Sequence, residues 1–164
     1  LGQEWPGLFS YFVLMVTAAE HIQQEEFQNE WHKLRVNLMI TSGWLKNEMK
    51  EFLDQFDITQ QQFNILRILR GSKGDPLSTN QICERMIDKM SDTSRIVDRL
   101  VAKGLVSKNP CPRDGRKIQV FISEEGEYLL STIDTKLKNL DSAFNKLTIE
   151  EATELNNILE KLRS

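Results

Sequence analysis

A chain of 164 residues with 40% hydrophobic and 27% charged residues, 8 Gly and 4 Pro is the usual size of one domain, which excludes collagen-like, low-complexity and wholly disordered classes. Its two cysteines, Cys83 and Cys111, are too few and too far apart for a disulfide framework or a Cys-x-x-Cys metal site, so a reducing compartment, the cytoplasm, is expected. The formal net charge of -3 hides an uneven distribution: from Thr59 to Gly126 there are 12 Lys or Arg against 8 Asp or Glu, a local +4, leaving 9 against 16, or -7, for the flanks, so a basic middle lies between acidic ends.

Residues 1–24 form an apolar extension. Trp5, Leu8, Phe9, Tyr11, Phe12, Val13, Leu14 and Val16 are too apolar to be left in water. They either form an extra helix packed on the rest of the protein or are buried opportunistically. The stretch Leu8 to Ala19 is twelve residues long, against the roughly 20 that a spanning helix needs, and no Lys or Arg precedes it as in a signal peptide. No membrane partner is expected.

From Glu25 to Phe56, the residues Phe27, Trp31, Leu34, Leu38, Leu45, Phe52 and Phe56 recur mostly at steps of three, four or seven among charged residues, the pattern of a long amphipathic helix. Thr59 followed by Gln60-Gln61-Gln62 supplies a capping box. Phe63, Leu66 and Leu69 then mark one face of a second helix, running to about Arg70, and Gly71-Ser72-Lys73-Gly74-Asp75-Pro76 ends it. Ser78 caps a short helix from Thr79 to about Ile87, with Ile82, Met86 and Ile87 at helical spacing. After Asp88-Lys89-Met90, Ser91 caps another helix with Asp92 in its first turn, Ile96, Val97, Leu100 and Val101 inward, and Gly104 as its stop. Two short helices around a tight turn are a helix-turn-helix signature.

Strands follow at Leu105–Asn109 and Lys117–Ser123, the second with Ile118, Val120 and Ile122 in strict alternation. Between them Pro110-Cys111-Pro112-Arg113-Asp114-Gly115-Arg116 is expected to form an exposed basic hairpin tip, a wing. Beyond Glu124, Leu130, Ile133, Leu137, Leu140, Phe144 and Leu147 step by three and four along a long helix. Thr148, with Glu151 three residues on, caps a last helix carrying Leu155, Ile158, Leu159 and Leu162. The fold class is mainly α with a small β-hairpin wing.

This order resembles a winged helix-turn-helix flanked by N- and C-terminal dimerisation helices, as in the MarR (multiple antibiotic resistance regulator) family. That family's wing signature is Asp-x-Arg followed six residues on by Leu-Thr-x-x-Gly, and this chain has Asp114, Arg116 and then Ile122-Ser123-Glu124-Glu125-Gly126. Ile stands for Leu and Ser for Thr. The run Ser94-Arg95-Ile96-Val97-Asp98-Arg99-Leu100 with Lys103-Gly104-Leu105-Val106 is similar to the family's recognition helix and its exit into the wing. The resemblance covers about Glu25 to Leu162 and implies a dimerisation helix at 25–57, a DNA-binding lobe at 58–126 and C-terminal dimerisation helices at 127–164. It further implies a regulator of transcription, most often a repressor, that binds a pseudo-palindromic double-stranded operator as a homodimer. A winged helix serving only as a protein-interaction module is the alternative.

Physically, a helix N-terminus with Ser91, Asp92, Thr93 and Ser94 offers short hydrogen-bonding side chains to base edges in a major groove about 12 Å wide. Arg95 and Arg99 lie one turn apart beside it and either contact DNA or pair with Asp88, Asp92 or Asp98. Asp92 either accepts from cytosine N4 or favours the helix dipole. At the wing, Arg116 on an Asp-Gly hairpin suits the negative potential of a narrow minor groove. By the family resemblance Asp114 would brace it, and Arg113 and Lys117 would meet phosphates.

No Gly-rich phosphate loop, activated nucleophile or His-Cys pairing is present, so neither an enzyme nor a cofactor is expected. His21 and Glu25, at i and i+4, read as a surface helix pair rather than a metal site. Cys83 reads as core and Cys111 as exposed on the wing. Trp31, Met39, Trp44 and Met49 on the first long helix are core, dimer interface or the lining of a small-molecule effector cavity.

Overall fold

The computed structural model describes residues 17–21, 23, 26–111 and 114–164, with side chains described throughout these except at 114–117, 139 and 143. The chain divides into two units, residues 1–47 and 48–164. In chain order the elements are α1 (Ala18–His21), α2 (Glu30–Asp54), α3 (Gln60–Gly71), α4 (Thr79–Arg85), α5 (Thr93–Ala102), β1 (Val106–Cys111), β2 (Asp114–Ile122), α6 (Glu124–Asp141), a 3-10 turn (Ser142–Phe144) and α7 (Ile149–Arg163). The mainly helical architecture with one antiparallel hairpin matches the expectation from sequence. Most of the apolar extension at 1–24, and Glu25 of the His21–Glu25 pair, lie outside the described residues.

In the first unit, the α2 helix starts at Glu30 rather than Glu25 because Asn29 Oδ1 accepts from the His32 amide at 2.9 Å, satisfying one of the unpaired N–H groups of the first turn. Phe27 packs edge-on to the His32 ring with centroids 5.4 Å apart. Trp31, Leu34 and Met39 on this helix are exposed.

The second unit holds the core. Leu53, Ile58, Ile65, Leu66, Leu69, Leu77, Ile82, Met86, Val97, Leu100, Val106, Val120, Leu130 and Ile133 are all buried in one cluster, so every element from the end of α2 to α6 places apolar side chains in it. The Thr59 capping box is present, with Thr59 Oγ1 accepting from the Gln62 amide at 3.2 Å and Gln62 Oε1 from the Thr59 amide at 3.0 Å. Those at Ser78 and Thr148 close in the same way. The hairpin pairs Val106 with Ile122 through Pro110 with Ile118, then shifts register between Pro110 and Cys111. Leu77 adds a third rung, its amide donating to Val120 O at 3.2 Å and its carbonyl accepting from the Val120 amide at 2.8 Å.

The junction from wing to α6 explains the serine and glycine of the wing motif. Ser123 Oγ accepts from the Gly126 amide at 3.1 Å and donates to Gly104 O at 2.7 Å, so one hydroxyl both caps α6 and ties it to the end of α5. A Cβ on Gly126 would lie 2.3 Å from Leu105 O and 2.8 Å from Ile122 Cγ1. Only glycine allows that approach of helix to backbone.

Several local expectations are corrected. The α4 helix stops at Arg85, not near Ile87, because Met86 turns to an extended conformation (φ -64°, ψ 140°). Side chains alternate across extended backbone, so Met86 enters the core and Ile87 points out, 85% exposed. Asp92, not Ser91, is the N-cap of α5. Val101 is exposed rather than inward. Cys83 and Cys111 are each half-buried, neither core nor fully exposed. The C-terminal stripe is not one continuous helix, since α6 ends at Asp141 and Phe144 closes a 3-10 turn. Leu130 and Ile133 on α6 belong to the same core as the winged helix, which therefore continues beyond residue 126.

Candidate nucleic-acid interface

The α5 helix is amphipathic. Thr93, Val97 and Leu100 are buried at i, i+4 and i+7, anchoring one face to the lobe, while Ser94, Arg95, Asp98 and Arg99 are exposed on the other. Burying Val97 and Leu100 contributes about 1.5–3 kcal/mol each, enough to hold the helix so that the polar face is presented without a partner.

The turn into α5 is fixed by hydrogen bonds. Asn64 Oδ1, on α3, accepts from the Ile87 amide at 2.9 Å. Asp88 accepts from the Met90 amide through its carboxylate at 3.1 Å and from the Ser91 amide through its carbonyl at 3.3 Å. Asp92 Oδ1 accepts from the Arg95 amide at 3.2 Å, and its other oxygen lies 3.8 Å from Arg95 Nε. Of the two roles open to Asp92, helix capping is the one made in the free chain.

Thr93 departs from its expected place on the base-reading face. It is buried at 5% exposure, and its hydroxyl donates to Ser91 O at 3.4 Å. Nothing in the spacing distinguished it from Ser94, because the N-cap fell one residue later than the serine and turned the face. Ser91 is half-buried at the same turn. Asp98 is paired with Lys108 of β1, linking α5 to the hairpin.

Asp114 and Arg116, expected in the tip between the strands, fall instead in β2, which begins three residues before Lys117; the side chains of Asp114, Arg116 and Lys117, and Arg113 altogether, lie outside the described residues. Two features of the lobe had no signal in the sequence. Asp57 has a left-handed backbone (φ 53°), a strained geometry for a non-glycine residue, and both its carboxylate and its carbonyl accept from Lys103 Nζ, the carboxylate at 2.7 Å. The residue capping the C-terminus of α5 is thereby tied to the α2–α3 corner. Next to this bond lies a cleft of about 480 Å³ lined by Phe56, Asp57, Ile58, Lys103, Leu105, Glu125, Tyr128, Leu129 and Thr132. None of Trp31, Met39, Trp44 and Met49 lines it. Trp31 and Met39 are exposed at 78% and 69%, Trp44 is at 37%, and Met49 packs half-buried against the core of the second unit.

Among the described residues no group of His, Cys, Asp and Glu is arranged to hold a metal ion, and no helix is long and apolar enough to cross a membrane. Residues 56–117, from the α2–α3 corner into the second strand of the hairpin, match the model of the MarR family. The HTH-type transcriptional repressor IacR of Pseudomonas putida is 28% identical over 144 residues, covering 87% of this chain and 81% of its own. A variant of MarR from E. coli, solved in complex with operator DNA, superposes with a TM-score of 0.73 at 23% identity, over 84% of this chain and 98% of that one. The organohalide-sensing regulator RdhR, in its 2,4-dichlorophenol-bound form, superposes with a TM-score of 0.75 at 21% identity, over 82% and 80%. At such identities the two structural likenesses speak for the fold.

Proposed function

We propose that the chain, whose residues 56–117 match the MarR family, is a DNA-binding winged-helix transcriptional regulator of that family, a cytoplasmic repressor that holds a pseudo-palindromic operator as a homodimer and is released or modulated by a small ligand. The observation that carries the reading is the polarity of α5, with Val97 and Leu100 anchored while Ser94, Arg95 and Arg99 are exposed. Two such helices would enter successive major grooves, with half-site centres about one turn, roughly 10 bp, apart. Ser94 and Ser91 contact base edges, with Arg95 and Arg99 on bases or phosphates and Asp92 shaping the helix end. Arg116 enters the minor groove braced by Asp114, and Arg113 and Lys117 meet phosphates.

Support for the dimer comes from apolar side chains that the single chain leaves partly exposed: Leu147 after α6, and Ile149, Leu155, Ile158 and Leu162 along α7, each at least 41% exposed. A surface of that kind marks a protein interface. Support for ligand control comes from the relative solved with a bound phenol and from the cleft beside Lys103. A ligand there regulates only through its differential affinity for the DNA-competent state.

Titrating a duplex selected from a random pool at several salt concentrations tests the reading. Binding should fall steeply with salt, as release of counterions from phosphates requires. Arg116→Ala should weaken all sequences and reduce the log-log slope by about 1, whereas Ser94→Ala should change which sequences are preferred. A slope near zero would instead favour a protein-interaction module.

A further inference from the structure

Ile87 and Met90 are 85% and 94% exposed, the two largest exposures among the big apolar side chains of the second unit, and both sit on the turn that leads into α5. They are not carried there by a loose loop. Asn64 of α3 holds the Ile87 amide, and Asp88 holds those of Met90 and Ser91, so the lobe builds a turn whose outward positions are apolar. Met90 stands two residues before Asp92, the N-cap of α5. Around the pair, Arg85, Lys89 and Arg95 are exposed together with Glu84, Asp88 and Asp92; the two aspartates accept backbone amides of their own turn, and Asp92 also lies 3.8 Å from Arg95 Nε. An apolar pair with Arg85 and Lys89 beside it matches a surface that offers methyl groups between phosphates.

We propose that Ile87 and Met90 determine sequence specificity by covering thymine C5-methyl groups in the major groove at one edge of each half-site. Neither side chain can pair with the donors and acceptors of a base edge, and the thymine methyl is the one apolar group which that groove displays. The inference rests on the DNA-binding reading of α5, whose first turn adjoins the pair. It adds to that reading a contact with the thymine methyl itself, which a hydrogen bond from α5 to thymine O4 does not read.

The test is a scan of the selected operator in which each thymine is replaced in turn by deoxyuridine, removing one methyl and leaving every hydrogen-bonding group in place. The unaltered full chain should lose roughly fourfold in affinity at one or two thymines per half-site, the effect of about one methyl removed from water. The Ile87→Ser, Met90→Ser double variant should bind the thymine and uracil duplexes alike at those positions. Affinity unchanged within twofold at every thymine, or a double variant as sensitive as the parent, overturns the proposal. The scan on the parent chain needs no variant to fold. Failure to enrich any duplex would overturn the DNA-binding reading and this inference with it, whereas an enriched but uracil-insensitive duplex overturns this inference alone.

Discussion

Leu130 and Phe144 lie on the same three-and-four stripe in the sequence, yet Leu130 is fully buried and Phe144 is 45% exposed. The same holds for their neighbours, Ile133 at 0% and Leu147 at 41%. What differs is the opposing surface. The first half of α6 packs on α3 and shares its core with the winged helix, while the end of the stripe passes into a 3-10 turn beyond the helix. Periodicity therefore reports that a face is apolar, and the fold decides whether the chain itself covers it.

Core truncation should separate the two ends most strongly. Leu130→Ala removes a fully enclosed side chain and should lower the unfolding free energy by about 3 kcal/mol, from lost transfer energy plus the cavity left behind. Phe144→Ala should cost about 1 kcal/mol in dilute solution, because much of that ring is already in water. Urea denaturation at low protein concentration reads both. Equal losses would mean that the stripe is covered to its end within one chain.

Association should show the reverse dependence. Leu155→Lys with Ile158→Lys places charge on α7 where the side chains are 46% and 52% exposed. The fold of one chain should hardly change, whereas the dimer should weaken by roughly thirtyfold or more, the effect of losing an interface hot spot. Sedimentation velocity at micromolar concentration should then give the monomer mass. An unchanged dimer would place the interface elsewhere, and the α7 face would lose its proposed use.

The parts legible in the sequence were those fixed by local chemistry. The capping boxes at Thr59 and Thr148 and the cap at Ser78 are set by side chains three residues apart, and the wing alternation at Ile118, Val120 and Ile122 marks the second strand, though not its start at Asp114. The motif glycine, Gly126, is required by contacts with Leu105 and Ile122 that sequence alone does not display. Where the reading failed, one backbone torsion had changed a face. An extended Met86 sends Ile87 out of the expected helix, and a cap at Asp92 in place of Ser91 carries Thr93 into the core. Lys103 reaching Asp57 spans 46 positions, a distance over which neither periodicity nor capping carries information.

The smallest effect should come from the charges that accompany the buried half of α6. Asp134 on α6 receives Arg67 at 2.9 Å and Arg70 at 2.7 Å, both from α3, so ion pairs and apolar packing join the same two helices. The three side chains are 46%, 26% and 38% exposed for Arg67, Arg70 and Asp134, and water screens much of their attraction. Asp134→Ala should therefore cost about 1 kcal/mol, part of it from leaving two guanidinium groups one turn apart on α3 without the carboxylate between them. The difference between parent and variant should shrink in 1 M salt, where the Debye length is about 3 Å, whereas the loss from Leu130→Ala should not shrink with it. A cost at Asp134 as large as that at Leu130 and insensitive to salt would mean that α6 is held to the lobe by its charges, and the contrast between its two ends would then no longer be one of apolar cover.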